Sequence, residues 1–409
     1  MNFGQDSSFA GAKTAQGNSD SGDATTDFYY EPPSGYLALC TDNLSTPEIK
    51  LPGDNFNTVL YTGNSTADRD ITGVGFAPDF VWVKNRTGNS HSLNDSVRGV
   101  NKQLASDSTA NQTTHTNRIT AFNSDGFTTG DSDDTNANTD GIVSWNWKAG
   151  GAPTADNSAG AGATPTADSV KIDGSNLGSA LAGTIPAVRL SANTESGFSI
   201  VIYDGTGVNG TVAHGLSQAP ELVIAKPKTN SVDAWRVGSD YLTSWVKELR
   251  LNTTAAEIDR AAVFNSLAPT SSVINLGTDG ANNGGGATFV AYSFHSVEGY
   301  SKVGSFSVPG SGVSPTNDLG TFVYCGFKPA YLLFKRIDSL AGWFVFDNKV
   351  NTYNLVDDYL EPNSNAAEVD GGASGWGFLS NGFKQWENYV GDYIFYAVAE
   401  SPFKYSNAR

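Results

Sequence analysis

One pattern, written three times, constrains this chain more than any other feature. A glycine, an aromatic residue or leucine, and a proline lead into an apolar run that ends on lysine. The copies are GFAPDFVWVK at Gly75–Lys84, GLSQAPELVIAK at Gly215–Lys226 and GFKPAYLLFK at Gly326–Lys335. Internal repetition on this scale bears on architecture before chemistry, because each copy is a unit that packs against its neighbours. The copies continue alike. A polar, alanine-containing segment follows in each: DSTANQ at Asp107–Gln112, NTTAAE at Asn252–Glu257 and NSNAAE at Asn363–Glu368. Leu104, Leu249 or Leu360 lies close before it. FNSDGFTTG at Phe122–Gly130 corresponds to FLSNGFKQW at Phe378–Trp386, where the middle copy has only SSVINLG. Each copy closes on an aromatic-rich run: IVSWNWKAGG, FVAYSFHSVEGY or YIFYAVAESPF.

Within each copy the apolar runs are short and bounded by Gly, Pro, Asn and Asp, which reads as strands and tight turns. FVWV, LVIA and YLLF show no clean alternation, as expected of central strands covered on both faces. The closing runs alternate better, with Trp145 and Trp147 on one face and Asn146 on the other. Val97, Val100 and Leu104, and likewise Tyr241–Leu251, carry helical spacing, so a short helix is expected in each region. The fold class is therefore all-β: tandem antiparallel β-sandwich units, jelly-roll or lectin-like, with short helices. The organisation reads as an N-terminal extension over 1–53, unit one over 54–150 and a low-complexity linker or arm over 151–195. Unit two covers 196–300 and unit three 301–409. The second part of the linker is expected to form a short helix or an ordered arm, and YLALC in the extension reads as a strand.

Composition narrows the function classes. Only 16% of residues are charged, and Gly, Asn, Ser and Thr fill the difference, as suits a loop-rich β protein. A net charge of −17 opposes nucleic acid and anionic membrane alike. No apolar run approaches the roughly 20 residues that span a bilayer. The N-terminus lacks a signal peptide's apolar stretch, so the chain is expected to be made in a cytoplasm or to be a piece of something longer. Cys40 and Cys325 read as buried small hydrophobes, with a disulfide between them left open.

Candidate chemistry is sparse. Asp357, Asp358 and Glu361 cluster, and Glu248 and Glu257 flank the matching segment of unit two. Unit one has Lys102, Gln103 and Asp107 there, so the units share no pair of acids of the kind glycan hydrolysis needs. Asp131 to Gly141 mimics the start of a calcium loop but lacks the closing acid. His91, His115, His214 and His295 have neither zinc-ligand spacing nor a nucleophile elbow nearby. The tract NNGGGATF at Asn282–Phe289 reads as a flexible hairpin tip. No cofactor or metal is expected. Sugar faces stack on exposed aromatics, and Trp376 and Trp386, flanking a glycine-rich stretch, are the candidates for ligand binding.

The combination NFGQDSSFAG, FYYEPPSGYLALCTDNL, GFAPDFVWVKNR, DSVRG, FNSDGF, WNWKAGG and a terminal SPFKYSNAR resembles a repeat-module family of tailed-phage structural proteins, from marine and freshwater phages. Those modules often follow a SPRY domain, and Asn2–Gln5 with Pro32–Tyr36 resemble the closing strand of one. The resemblance implies a virion component: a tail fibre or spike with host-surface glycan binding, assembled in the host cytoplasm. It would contact other virion proteins and form a homo-oligomer, a trimer for a fibre. Alternatives are a capsid decoration or head-fibre protein and a tail-spike glycan depolymerase. The resemblance carries no catalytic residues.

Overall fold

The computed structural model describes residues 7–19, 27–37, 40, 42–229, 233–309, 320–372, 375–386 and 389–406. The protein is mainly β, with sheets that are antiparallel apart from one parallel pairing. Each repeat builds the same four-strand arrangement, which stands as a sheet of its own in units one and three and forms the middle of a nine-stranded sheet in unit two. In unit one the strands are β1 (Phe56–Thr62), β2 (Phe80–Asn85), β3 (Ser92–Asp95) and β4 (Gly141–Trp147). Unit two uses β5 (Phe198–Asp204), β6 (Leu222–Pro227), β7 (Arg236–Ser239) and β8 (Thr288–Phe294). Unit three uses β9 (Ser301–Val308), β10 (Phe327–Arg336), β11 (Trp343–Asp347) and β12 (Gly391–Pro402). The orders are β1-β4-β2-β3, β5-β8-β6-β7 and β9-β12-β10-β11. Registers agree as well: Trp82 faces Trp145, Ile224 faces Tyr292 and Leu333 faces Tyr396.

The missing alternation in FVWV, LVIA and YLLF has the expected cause, since both faces are buried. One face of each sheet looks into a single core shared by all three units. Phe80, Trp82, Trp145 and Trp147 meet Ile224, Trp235, Tyr292 and Phe294, and also Tyr331, Leu333, Trp343 and Tyr396. Ring contacts join every pair of units: Phe80 to Tyr292 at 4.7 Å, Phe56 to Tyr331 at 5.4 Å and Phe294 to Tyr396 at 4.7 Å. A void of about 20 Å³, lined by apolar and aromatic residues from all three sheets, remains at the centre. It has room for a single water at most, and its apolar lining offers that water too few hydrogen-bond partners to hold it favourably. The opposite face of each sheet packs on that unit's own small sheet. In unit one this is Arg69–Thr72 with Ile119–Asn123 and Gly126–Thr129. In unit two it is Gly210–Ala213 with Val273–Leu276, and in unit three Phe322–Tyr324 with Trp376–Leu379 and Gly382–Gln385. The sandwiches are present, but they form a ring around a common centre rather than beads on a string.

The polar segment repeated in each unit closes that ring. The amide of Gln112 in unit one donates to the Lys228 carbonyl of unit two at 3.1 Å. Glu257 of unit two donates to Ile337 of unit three at 2.9 Å, and Glu368 of unit three to Arg86 of unit one at 2.8 Å. Two residues before each segment a carbonyl is capped from the neighbour. Trp235 Nε1 donates to Ala105 O and Trp343 Nε1 to Arg250 O, both at 2.9 Å. At the third joint the tryptophan is replaced by His91, whose Nε2 meets Glu361 O at 3.0 Å. Trp82 Nε1 donates to His91 Nδ1, so Nε2 carries the proton and the ring is neutral. Two of the repeated lysines belong to the same joints. Lys84 donates to Asn365 O and Lys226 to Thr109 O, each reaching across a joint. Lys335 donates to Arg336 O instead, and the matching carbonyl, Thr254, takes the amide of Ala341. Burial lowers all three amines to about 8.

Several sequence expectations need correction. No helix forms at Val97–Leu104 or Tyr241–Leu251. Leu104 instead exchanges backbone bonds with Leu93, and Leu249 pairs with Val237 in the sheet, so long-range pairing overrides the helical spacing. The described α-helices are single turns at Asp133–Asn136 and Gly280–Asn283. The 151–195 stretch carries strands Val170–Ile172, Ser175–Asn176 and Ala187–Asn193, not a helix. Ala187–Asn193 adds to the edge of β5 and buries Leu190 and Ala192 in unit two's core. Tyr36 and Leu37 are exposed and lie in no strand, while Ala38, Leu39 and Asn2–Gln5 fall outside the described residues. Cys40 and Cys325 are free thiols, and burial pushes that of Cys325 up to about 12.

Candidate functional site

Apart from Glu361, whose carbonyl rather than its carboxylate is bonded, the acids singled out in the sequence are engaged in structure-holding contacts. Glu248 is fully buried and accepts from Arg236 at 2.6 Å and Arg250 at 3.1 Å. Arg236 and Arg260 also pair with Asp279. Burial, opposed by these arginines, raises the Glu248 carboxyl. Glu257 accepts from the Thr243 amide and hydroxyl. Asp357 and Asp358 both accept from Asn351 Nδ2 at 3.1 Å. In unit one, Asp107 accepts from the His91 amide, Lys102 donates to Thr114, and Gln103 donates to the His91 carbonyl. Among the described residues, no three His, Cys, Asp or Glu side chains gather where they could hold a metal ion.

The calcium-loop mimic and the glycine-rich tract turn out to be equivalent staples. Asn136, in the first, donates to Thr66 O and Gly130 O and accepts from the Asn64 amide. Asn283, in the second, donates to Val208 O and Gly277 O and accepts from the Thr206 amide. Both side chains are buried, so the tract expected as a flexible tip is stitched down at its start. His214 bonds Thr270 O and the Leu216 amide, and burial lowers it to about 4.

The small sheet of unit three is where the two candidate tryptophans lie. Trp376 stands directly across from Gln385 in the strand pair, and such partners share a face. Both point inward toward the large sheet. Gly377 and Lys384 share the other face, and Trp386 follows Lys384 at the strand period of two. The tryptophans therefore occupy opposite faces of one sheet and do not form a joint site. Trp386 lies half-buried against Gly377 beneath the Lys384 amine, 4.0 Å from its ring centre. Trp376 is only 4% exposed, packed 4.7 Å from Phe334, which corrects the expectation that it stands in solvent.

Trp376 nonetheless lines an open cleft of about 710 Å³ between the two sheets of unit three. Phe344 and Phe346 of β11 form one wall, Tyr359 and Tyr393 line it further, and Tyr389 and Val390 stand exposed at the rim. The Tyr393 hydroxyl donates to the Tyr389 carbonyl at 2.9 Å, tying the rim to β12. Arg336 lines the cleft with its guanidinium held by Asp338 at 2.6 and 3.1 Å. Gln385 also lines it. That side chain is 1% exposed, and neither its amide nitrogen nor its oxygen has a hydrogen-bond partner. In unit two the corresponding slot is filled. Trp245 and Phe264 pack edge to face at 5.3 Å over Gly238, where a Cβ would strike both rings. Sequence reading missed Gln385, although FKQ in a two-period strand already places it beside inward-facing Phe383.

Comparison with known proteins adds one finding. Residues 51–171 and 171–402 each match the family described as "Domain of unknown function (DUF7483)". The first match covers unit one and the second takes in units two and three, so two matches contain three structural repeats. No curated protein and no solved structure matches the chain.

Proposed function

The chain belongs to the DUF7483 family of domains of unknown function, and we propose that it serves as a structural component of a tailed-phage virion, a fibre or spike part that contacts host-surface glycans. The observation that carries this reading is the use made of the repeated residues. Two of the three lysines, the capping tryptophans or histidine and the polar segments go into joints between units, and Glu248, Glu257, Asp357 and Asp358 go into internal ion pairs and hydrogen bonds. What the copies share is thus spent on holding a closed scaffold together. Recognition falls to the places where the copies differ, as it does on loops carried by other rigid frameworks.

The acidic surface suits a component that must stay apart from nucleic acid and from other chains until assembly. A trimer of this chain, as the fibre reading implies, would associate through faces other than the joints, which are saturated within each chain. Mass spectrometry of purified particles of the encoding phage, with gold-labelled antibody on intact particles, tests the proposal. The chain should be present and the label should sit on the tail. Label on the capsid alone supports the decoration reading instead, and absence from purified particles overturns a virion role. Release of reducing ends from a host polysaccharide would favour the depolymerase.

A further inference from the structure

We infer that the cleft of unit three is a binding site for an uncharged pyranose residue of a saccharide, read by stacking on its aromatic walls and by hydrogen bonds from Gln385. The cleft presents two chemistries at once. Its accessible walls are aromatic, supplied by Phe344, Tyr359 and Tyr389, and fit the C–H faces of a sugar ring. Set among them, the buried Gln385 amide has one acceptor and two donors without partners, and a ligand hydroxyl would meet them by turning the amide toward the cleft. Buried amides are ordinarily bonded, and a wholly unpartnered one lining an open cleft is the feature a hydroxyl-bearing ligand would complete. An apolar peptide side chain would fill the volume and leave both amide atoms stranded. A nucleotide would stack, but the net charge of −17 repels its phosphates. Acidic sugars are disfavoured for the same reason, and because Arg336 is already neutralised by Asp338 while Asp370 also lines the cleft.

The open slot is also peculiar to this copy when set against unit two, where Trp245 and Phe264 occupy the equivalent space. A slot that one copy fills with its own rings is thus open in another. The inference draws on the virion reading only for the source of the sugar; absence of the protein from particles would leave the binding claim standing.

The test is a glycan array of neutral and acidic oligosaccharides, followed by calorimetric titration of the full chain with the best neutral probe and with hexagalacturonate and a leucine-rich peptide. A neutral oligosaccharide should bind. Gln385→Ala and Tyr389→Ala should each weaken that binding by about tenfold or more. Tyr389 is exposed, so its variant should melt like the parent and keeps the test valid if Gln385→Ala folds poorly. Trp386→Ala, on the far face of the sheet, should bind normally. Binding of acidic probes or peptide alone, no binding at all, or neutral-sugar binding unchanged in both variants would overturn the assignment.

Discussion

Replacing Tyr292 by Phe removes one oxygen from the wall between units one and two, and the response should reveal how large the cooperative unit is. The Tyr292 hydroxyl donates to Asp95 at 2.7 Å, and both residues are buried. Asp95 keeps its bonds from the Arg98 side chain and amide, so the carboxylate is not stranded. A lost hydrogen bond to a charged acceptor then costs about 2 kcal/mol. Its effect on the melting temperature depends on how much of the chain unfolds with it. The entropy of unfolding is about 2.1 cal/mol/K per residue. If the roughly 350 residues from Phe56 to Pro402 unfold together, the transition drops by about 3 °C and carries an enthalpy of about 250 kcal/mol. If unit two unfolds alone as roughly 105 residues, the drop is about 9 °C with an enthalpy near 75 kcal/mol. Scanning calorimetry separates the two. A shared core predicts a single transition with the small shift. A lone transition moving by about 9 °C while others stay in place would refute the shared-core reasoning.

Two further outcomes follow from buried charge. Burial holds His91 at about 3 and His214 at about 4, so both are neutral in the folded protein, whereas the unfolded chain takes up protons below about 6.5. Stability is therefore fully present above pH 6.5 and lost as pH falls, with a slope approaching about 2.7 kcal/mol per pH unit for the two together. Urea titrations between pH 6 and 5 should show it, and His91→Gln should halve the slope; an unchanged slope would contradict the assignment. Glu248→Ala leaves Arg236 buried beside Asp279 alone and should cost about 3–5 kcal/mol, toward the lower end because Asp279 remains. Denaturant unfolding measures this, and a cost below about 1 kcal/mol would mean the network does not stabilise unit two.

Much of the fold was legible because its signals are local. The glycine-proline lead-in, the two-sided apolar runs and the turn dipeptides each report on a few neighbouring residues. In the hairpins at Asp125-Gly126 and Asn381-Gly382, for instance, a Cβ on either glycine would strike the carbonyl of the adjoining strand, Ile71 or Val323, at 2.0 Å. The ring was not legible, because nothing local says that DSTANQ in one copy bonds the next copy and NSNAAE bonds the first. The repeated lysine was visible as a strand end, but its role as a cross-unit donor in two of the copies depends on closure in space. Helical spacing misled at Val97–Leu104 and Tyr241–Leu251 because each stretch is a turn leading into a short strand, whose pairing with Leu93 or Val237 lies outside the local window. At the cleft, aromatic content singled out the hairpin that carries both tryptophans. It did not separate Trp376 from Trp386, since assigning faces requires the pairing register.

Native-state hydrogen exchange tests the closed ring most directly. Amides of β2, β6 and β10 lie in three different repeats, each between two other strands of its sheet. A single cooperative ring predicts that, under rising denaturant, their opening free energies converge on one global value with one common slope. If the amides of any one of these strands open with a free energy lower by more than about 2 kcal/mol and their own shallower slope, that unit unfolds independently and the account of a shared core closed by three joints is contradicted.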